Sequence, residues 1–159
     1  MRRDRVRIPD VGEVERDVVL HPGAVVIVPV TGRGTLLLVR QYRYAAGESL
    51  LEFPAGTREA GEEPDATAGR ELQEEVGFRP GRLTRLGEFY SAPGFCDERL
   101  ICYLGEELEA ASLDGDDDEQ IEVVELTWEA VFEEAAAGHI RDAKTLAALF
   151  LAAPGRRSL

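Results

Sequence analysis

Residues 56–78 read Gly56-Thr57-Arg58-Glu59-Ala60-Gly61-Glu62-Glu63-Pro64-Asp65-Ala66-Thr67-Ala68-Gly69-Arg70-Glu71-Leu72-Gln73-Glu74-Glu75-Val76-Gly77-Phe78. Pro64-Asp65-Ala66 opens a helix, because a proline in the first turn sacrifices no hydrogen bond, and Gly77 ends it. On that helix Glu71 and Glu75 stand at i and i+4, one turn apart on one face, with Glu74 beside them. Three like charges so close oppose an isolated helix by roughly 0.3 kcal/mol per pair, and by more where the face is partly buried. Arg70 offsets only part of this. Divalent cations resolve the conflict, since Mg2+ is held by a few carboxylates together with waters and phosphate oxygens. The competing reading is a solvated acidic face, the commoner origin of a charge run. The glycine-rich loop and the position of Glu62 weigh against it.

Outward from this stretch, charge is the informative part of the composition. The 159 residues suit one domain, expected to run over 1–159, and 44% apolar with 31% charged residues fits a globular chain. There are 31 acids against 18 bases, a formal net of −13. That balance excludes a phosphate-gripping nucleic-acid surface and disfavours anionic membranes. No apolar run reaches the roughly 20 residues that span a bilayer. Met1-Arg2-Arg3-Asp4-Arg5-Val6-Arg7 lacks the apolar stretch of a signal peptide. Cys96 and Cys102 are too few for a disulfide scaffold and have no metal-ligand spacing with His21 or His139. These features predict a cytoplasmic protein. The acids are clustered: residues 56–78 hold seven acids and two bases, and residues 114–125 hold seven acids and no base. Of the 18 bases 17 are arginine and one is Lys144, so an arginine here is weaker evidence of phosphate binding than usual.

Hydrophobic patterning supplies the rest of the framework. Residues 1–22 form a short N-terminal strand region in which Val18–Leu20 is extended and the His21-Pro22-Gly23 turn follows. Ala24–Val30 and Thr35–Gln41 are apolar, β-branched runs separated by Thr31-Gly32-Arg33-Gly34, which predicts a hairpin. Leu50–Phe53, Leu83–Tyr90, Arg99–Leu104 and Ile121–Thr127 read as further strands. Trp128–Ala137 and Asp142–Ala152 are helical by their apolar spacing. Strands dominate without strict strand–helix alternation, so the class is α/β, with a mixed sheet flanked by helices. His21 and His139 show no catalytic partner, Trp128 packs, Cys96 has no adjacent base, and Lys144 reads as a surface charge.

The 56–78 stretch resembles the Nudix box, G-x5-E-x7-R-E-U-x-E-E-x-G-U with U apolar. It matches at Gly56, Glu62, Arg70, Glu71, Leu72, Glu74, Glu75, Gly77 and Phe78, every specified position. The resemblance implies an α/β/α sandwich that cleaves a nucleoside diphosphate linked to another group. It implies Glu71 and Glu75 as the main metal ligands, Glu74 assisting directly or through water, and the Ala55 carbonyl as a further ligand. Arg70 would orient the cluster by pairing with Glu62. The implied cofactor is Mg2+, two or more ions, with Mn2+ possible in its place.

Beyond the box the resemblance covers about residues 17–150 and is closest to the ADP-ribose pyrophosphatase branch. Leu51-Glu52-Phe53-Pro54-Ala55-Gly56 matches that branch's lead-in to the box, and Gln41-Tyr42-Arg43 ends the preceding strand as the branch does. Pro93 follows Gly77 by 16 residues, the spacing of ADP-ribose hydrolases. The implied reaction converts ADP-ribose to AMP and ribose 5-phosphate. GDP-mannose, another nucleotide sugar or a dinucleotide is the alternative substrate, and a non-catalytic ADP-ribose-sensing module the alternative class. Arg43 would contact the diphosphate, and Glu98 would be the loop glutamate near the metals. The general base would come from the 114–122 cluster, with Glu119 first and Glu122 second. The branch stacks the adenine on an N-terminal residue of a partner subunit, which implies a homodimer. No aromatic precedes Tyr42, so Arg16 is the candidate there, against its reading as an exposed strand arginine.

Overall fold

Two apolar runs organise the molecule. Strand β3 (Ala24–Pro29) is buried at all six positions and β4 (Leu36–Arg43) at its first four, as expected of strands covered on both faces. In the computed structural model, which describes residues 1–113 and 121–153, they are central strands of different sheets. The first sheet has the order β6-β3-β8-β7, from β6 (Ala55–Thr57), β7 (Phe78–Tyr90) and β8 (Arg99–Ala110). The second has the order β5-β4-β9, from β5 (Glu48–Glu52) and β9 (Ile121–Leu126). β3 and β8 run parallel and the other pairs in these two sheets are antiparallel, so the arrangement is mixed.

Alternation along the two runs then sets the layers. Val25, Ile27, Leu37 and Val39 pack with Ala68, Leu72 and Val76, on or just after helix α1 (Pro64–Glu75). Val26, Val28, Leu36 and Leu38 pack with Phe53, Val131, Ile140 and Leu149. Val131 lies on α2 (Trp128–Ala136) and Leu149 on α3 (Ala143–Ala152). Helices therefore cover both faces, and the α/β/α sandwich is observed. Pro64 occupies the first turn of α1, and Gly77 just beyond it has φ 76°, a left-handed geometry that glycine adopts without penalty.

Three expectations need correction. The 24–30 and 35–41 runs do not form a hairpin. One bridge, Val30 to Leu36, follows the Thr31–Thr35 turn, and the chain then passes from one sheet to the other. Each strand has two hydrogen-bonding edges, and those of β3 are taken by β6 and β8, those of β4 by β5 and β9. A run buried on both faces carries no period that names its partner. Second, the N-terminal region is more than Val18–Leu20. Strands β1 (Arg2–Ile8) and β2 (Gly12–Val18) form a separate antiparallel hairpin in register from Arg2 opposite Val18 to Ile8 opposite Gly12. Opposed charges stabilise it across the strands: Arg3 pairs with Asp17 at 2.6 Å, and Arg5 and Arg7 stand opposite Glu15 and Glu13. Third, β7 begins at Phe78 and β8 runs on to Ala110, both longer than their apolar centres, because cross-strand pairs such as Arg79–Glu109 and Arg82–Glu106 line the extension.

Candidate active site

Glu71 and Glu75 share the buried side of α1 with Thr67, Ala68 and Leu72, and each is under 10% exposed. Burying carboxylates on a packed helix face is costly unless they are hydrogen-bonded or paired. Glu75 Oε2 accepts from the backbone amide of Ala55 at 3.3 Å, which ties the helix to β6. Glu71 lies against Gly56, where a built Cβ would stand 1.9 Å from its carboxylate. The first glycine of the box thus leaves the room that this carboxylate occupies, and a side chain there would have to push it away from Arg70. Arg70 completes the cluster. Its Nε and Nη2 donate to Glu62 at 3.1 and 3.2 Å, its Nη1 lies 2.8 Å from both Glu71 and Glu74, and its Nη2 reaches the Thr57 carbonyl at 3.3 Å. Glu62 also accepts from the Glu59 amide and the Thr67 hydroxyl. The Arg70 guanidinium, with those donors, holds the Glu62 carboxyl down to about 2, and the same carboxylates push Arg70 up.

Three carboxylates, Glu62, Glu71 and Glu74, meet one guanidinium in this cluster. Among the described residues no group of three or more His, Cys, Asp or Glu side chains is arranged to hold a metal as it stands, and Glu71 and Glu74 each turn an oxygen to Arg70. The donor set nevertheless suits a hard cation. It offers carboxylate oxygens, two of the groups being nearly buried, with backbone beside them and no soft ligand.

A second charged network lies where β5 runs towards the box. Glu52, 1% exposed, accepts from Arg43 through Nε at 2.9 Å and Nη2 at 2.8 Å, and also pairs with Lys144 Nζ. Lys144 lies 3.1 Å from Asp142, whose carboxylate caps α3 by accepting from the Thr145 amide and hydroxyl. The Thr145 hydroxyl in turn accepts from the Phe53 amide at 2.9 Å, fixing α3 to the strand that leads to Pro54-Ala55-Gly56. Burial raises the Glu52 carboxyl, but Arg43 and Lys144 together outweigh it and the net direction is down. Lys144 is therefore not the surface charge expected.

The profile of the NUDIX domain matches residues 20–149. The chain belongs to the Nudix family. It is 40% identical over 146 residues to an ADP-ribose pyrophosphatase of Bacillus subtilis (strain 168), covering 91% of this chain and 79% of that protein. It is 34% identical over 133 residues to a GDP-mannose pyrophosphatase of Salmonella paratyphi B, covering 78% and 69%. A crystal structure of an ADP compounds hydrolase superposes with a TM-score of 0.81 at 24% identity, covering 99% and 93%, and shows the same fold.

Other residues of interest in this Nudix chain are dispersed. Glu98 lies in the 91–98 loop, 3.5 Å from His21 Nε2, and the Asp97 carboxylate accepts from the His21 amide at 2.7 Å. His21 thus has partners that its sequence context did not suggest, as does His139, whose Nδ1 lies 2.9 Å from Glu134. A cavity of about 220 Å3 opens beside the box loop, lined by His21, Gly23, Arg58, Tyr90, Asp97 and Arg99. Arg58 donates to the Glu62 carbonyl at 2.6 Å, while its Nε is buried and finds no partner among the described residues. Pro93 is exposed in the same loop. Arg16 is on the hairpin, opposite Asp4 and donating to the Glu15 carbonyl. Glu122 is on β9 opposite Arg40, 3.7 Å from its Nε and largely exposed. Glu119 lies outside the described residues. Cys96 and Cys102 are free, and burial pushes the Cys102 thiol up to about 12, which leaves it inert.

Glu52 and Lys144 are the residues that sequence reasoning missed as a site. One signal was available for each. Glu52 is the lone acid in the apolar stretch Leu50–Phe53, and Lys144 is the single lysine among 18 bases.

Proposed function

We propose that this Nudix chain hydrolyses the pyrophosphate bond of ADP-ribose, giving AMP and ribose 5-phosphate. The observation that carries this reading is the intact box cluster. Glu71 and Glu75 are buried side by side against Gly56 and Ala55, in a chain 40% identical to an ADP-ribose pyrophosphatase along most of its length. Glu71, Glu75 and the Ala55 carbonyl, with Glu74 directly or through water, would hold Mg2+, two or more ions, or Mn2+ in its place. When bound, the cation neutralises diphosphate oxygens and lowers the pKa of water. Arg70 keeps the box loop on the helix through Glu62. Arg43 grips the diphosphate, its fork suiting two oxygens better than an ammonium would. Glu119, or failing it Glu122, would accept the proton of the attacking water, whose oxygen bonds to one phosphorus as that phosphorus loses its bond to the bridging oxygen; the bridging oxygen leaves on the other phosphate. Glu98 would stand near the cations and Pro93 near the group beyond the diphosphate, both in the 91–98 loop whose Asp97 lines the 220 Å3 cavity.

The same reading makes the protein a homodimer. Val6, Ile8, Val14 and Val18 share one face of the β1–β2 hairpin, and none belongs to either core cluster. An apolar face without a core of its own suits a partner copy, and it would carry Arg16 across to the partner's base-binding side. One Nudix domain then occupies 1–159, the hairpin preceding the matched core. No helix among the described residues is long and apolar enough to cross a membrane, and two free cysteines fit a cytoplasmic location.

A panel of ADP-ribose, GDP-mannose, other nucleotide sugars and dinucleotides with Mg2+, scored by kcat/KM, tests the substrate. ADP-ribose ranks first on this reading; a place about tenfold or more below another compound overturns it. Glu75→Gln removes AMP release. Full turnover in that variant would mean that the box carboxylates do not serve the chemistry.

A further inference from the structure

The network around Glu52 contains two cations for one buried carboxylate, and they are not equivalent. Arg43 is at the outer side, with 37% of its side chain exposed, while Lys144 is at 17% and Glu52 at 1%. Arg43 donates two hydrogen bonds to Glu52 and is also the group that the proposed reaction assigns to the diphosphate. The Nε–Nη2 edge of the fork is engaged with Glu52 and cannot at the same time grip a substrate, and withdrawing it would strand a charge in the interior. Stranding a buried charge is the costly way to break an ion pair. Lys144 removes that obstacle, because it holds the same Glu52 oxygen that Arg43 Nη2 holds. It is anchored from the other side by Asp142, itself fixed as the cap of α3. A compact ammonium with three donors can serve two carboxylates in a space where a second planar fork would compete with the first. This fits the single use of lysine in a chain that otherwise employs arginine 17 times.

We propose that Lys144 is a positioning residue that makes Arg43 releasable, holding the charge of Glu52 while the guanidinium moves from that carboxylate to the substrate's diphosphate. The proposal rests on the reading of Arg43 given above. Without Lys144, Arg43 is the counter-ion that Glu52 must keep, and substrate has to compete for it. The penalty falls on binding in the ground state and the transition state alike, so it is read in KM and not in kcat.

Steady-state kinetics with ADP-ribose and Mg2+ on the full chain test this in a double-mutant cycle. Lys144→Met raises KM about tenfold and leaves kcat within about twofold. In a Glu52→Gln background, where no buried charge needs a counter-ion, adding Lys144→Met changes KM by less than about twofold. Should Lys144→Met fold poorly because Asp142 loses its partner, Lys144→Met/Asp142→Asn removes both charges and keeps the cap, since asparagine caps as well as aspartate. That pair shows the same rise in KM. An equal rise with and without Glu52, an unchanged KM, or a fall in kcat alone overturns the proposal. Arg43→Met separates the two readings. If it raises KM while Lys144→Met does not, the role of Lys144 alone is wrong; if it leaves KM unchanged, Arg43 does not hold the substrate and both readings fall.

Discussion

Arg70 and Glu62 are eight positions apart, and their pairing decides how the box loop is held. Glu62 collects two hydrogen bonds from Arg70, one from the Glu59 amide and one from the Thr67 hydroxyl. Its carboxyl is thereby held at about 2, against an ordinary 4.5. A carboxylate whose folded value lies below its unfolded one adds stability that is complete above the unfolded value. That stability is lost as pH falls towards the folded one. The window here is from about 4.5 down to about 2. Glu62→Gln should therefore be less stable than the parent at pH 7, and the gap should narrow by pH 3. Urea midpoints at the two pH values measure it, and a gap that stays constant would show that Glu62 acts by packing and not by charge. At this scale the sequence was informative where residue type is dictated by geometry. Gly56 leaves room for the Glu71 carboxylate, which a side chain there would displace, and box spacing alone places Glu71 and Glu75 together. The Lys144–Glu52 pair was illegible because its members are 92 residues apart and neither lies in a motif that names the other.

Among elements, the runs that are apolar on both faces and the helices with a clear apolar spacing were readable. Thr127 and Asp142 cap α2 and α3 through the Ala130 and Thr145 amides, so α2 starts where its spacing places it and α3 one residue later. Partner choice was not readable, since β3 and β4 carry the same kind of apolar surface and only the whole set of edges decides which strands pair. The β1–β2 hairpin was hidden for a different reason. Its alternation sets arginines against acids on one face, and in an arginine-rich chain that looks like composition. The two candidates for the general base differ at this scale too. Glu122 belongs to a strand, fixed in register opposite Arg40, while Glu119 precedes that strand in the acidic 114–120 segment. A base fixed in a ladder could reach the substrate only by disturbing that ladder, which counts against Glu122. Glu119→Gln is expected to lower kcat by a factor of hundreds, and Glu122→Gln to leave it within about threefold. The reverse pattern in kcat transfers the role to the strand.

Across the whole molecule the charge and the hairpin pose linked questions. A net of −13 is unfavourable for binding a diphosphate, yet most of it lies in the box stretch and in residues 114–125, where cations and a base are proposed to act. The hairpin stands apart from that chemistry. Its strands form their own two-stranded sheet, and neither core cluster takes a residue before Ala24. The tie to the body begins after it, where the Val19 amide donates to the Phe95 carbonyl, the Asp97 amide donates to the Val19 carbonyl and the His21 amide donates to Asp97. A two-stranded ribbon is marginal in water without something on its apolar face. In the homodimer reading a second copy covers that face and receives Arg16 with it. Removing residues 1–18 should then leave the core and the Val19–Asp97 tie folded, with a thermal transition still cooperative. The protein should sediment as a monomer, and KM for ADP-ribose should rise while kcat falls much less, because the hairpin is assigned to the base and not to the diphosphate. Sedimentation equilibrium and steady-state kinetics read both effects from one preparation. A truncated chain that remains dimeric would place the subunit contact elsewhere on the sandwich, and one with unchanged KM would remove Arg16 from the substrate's path.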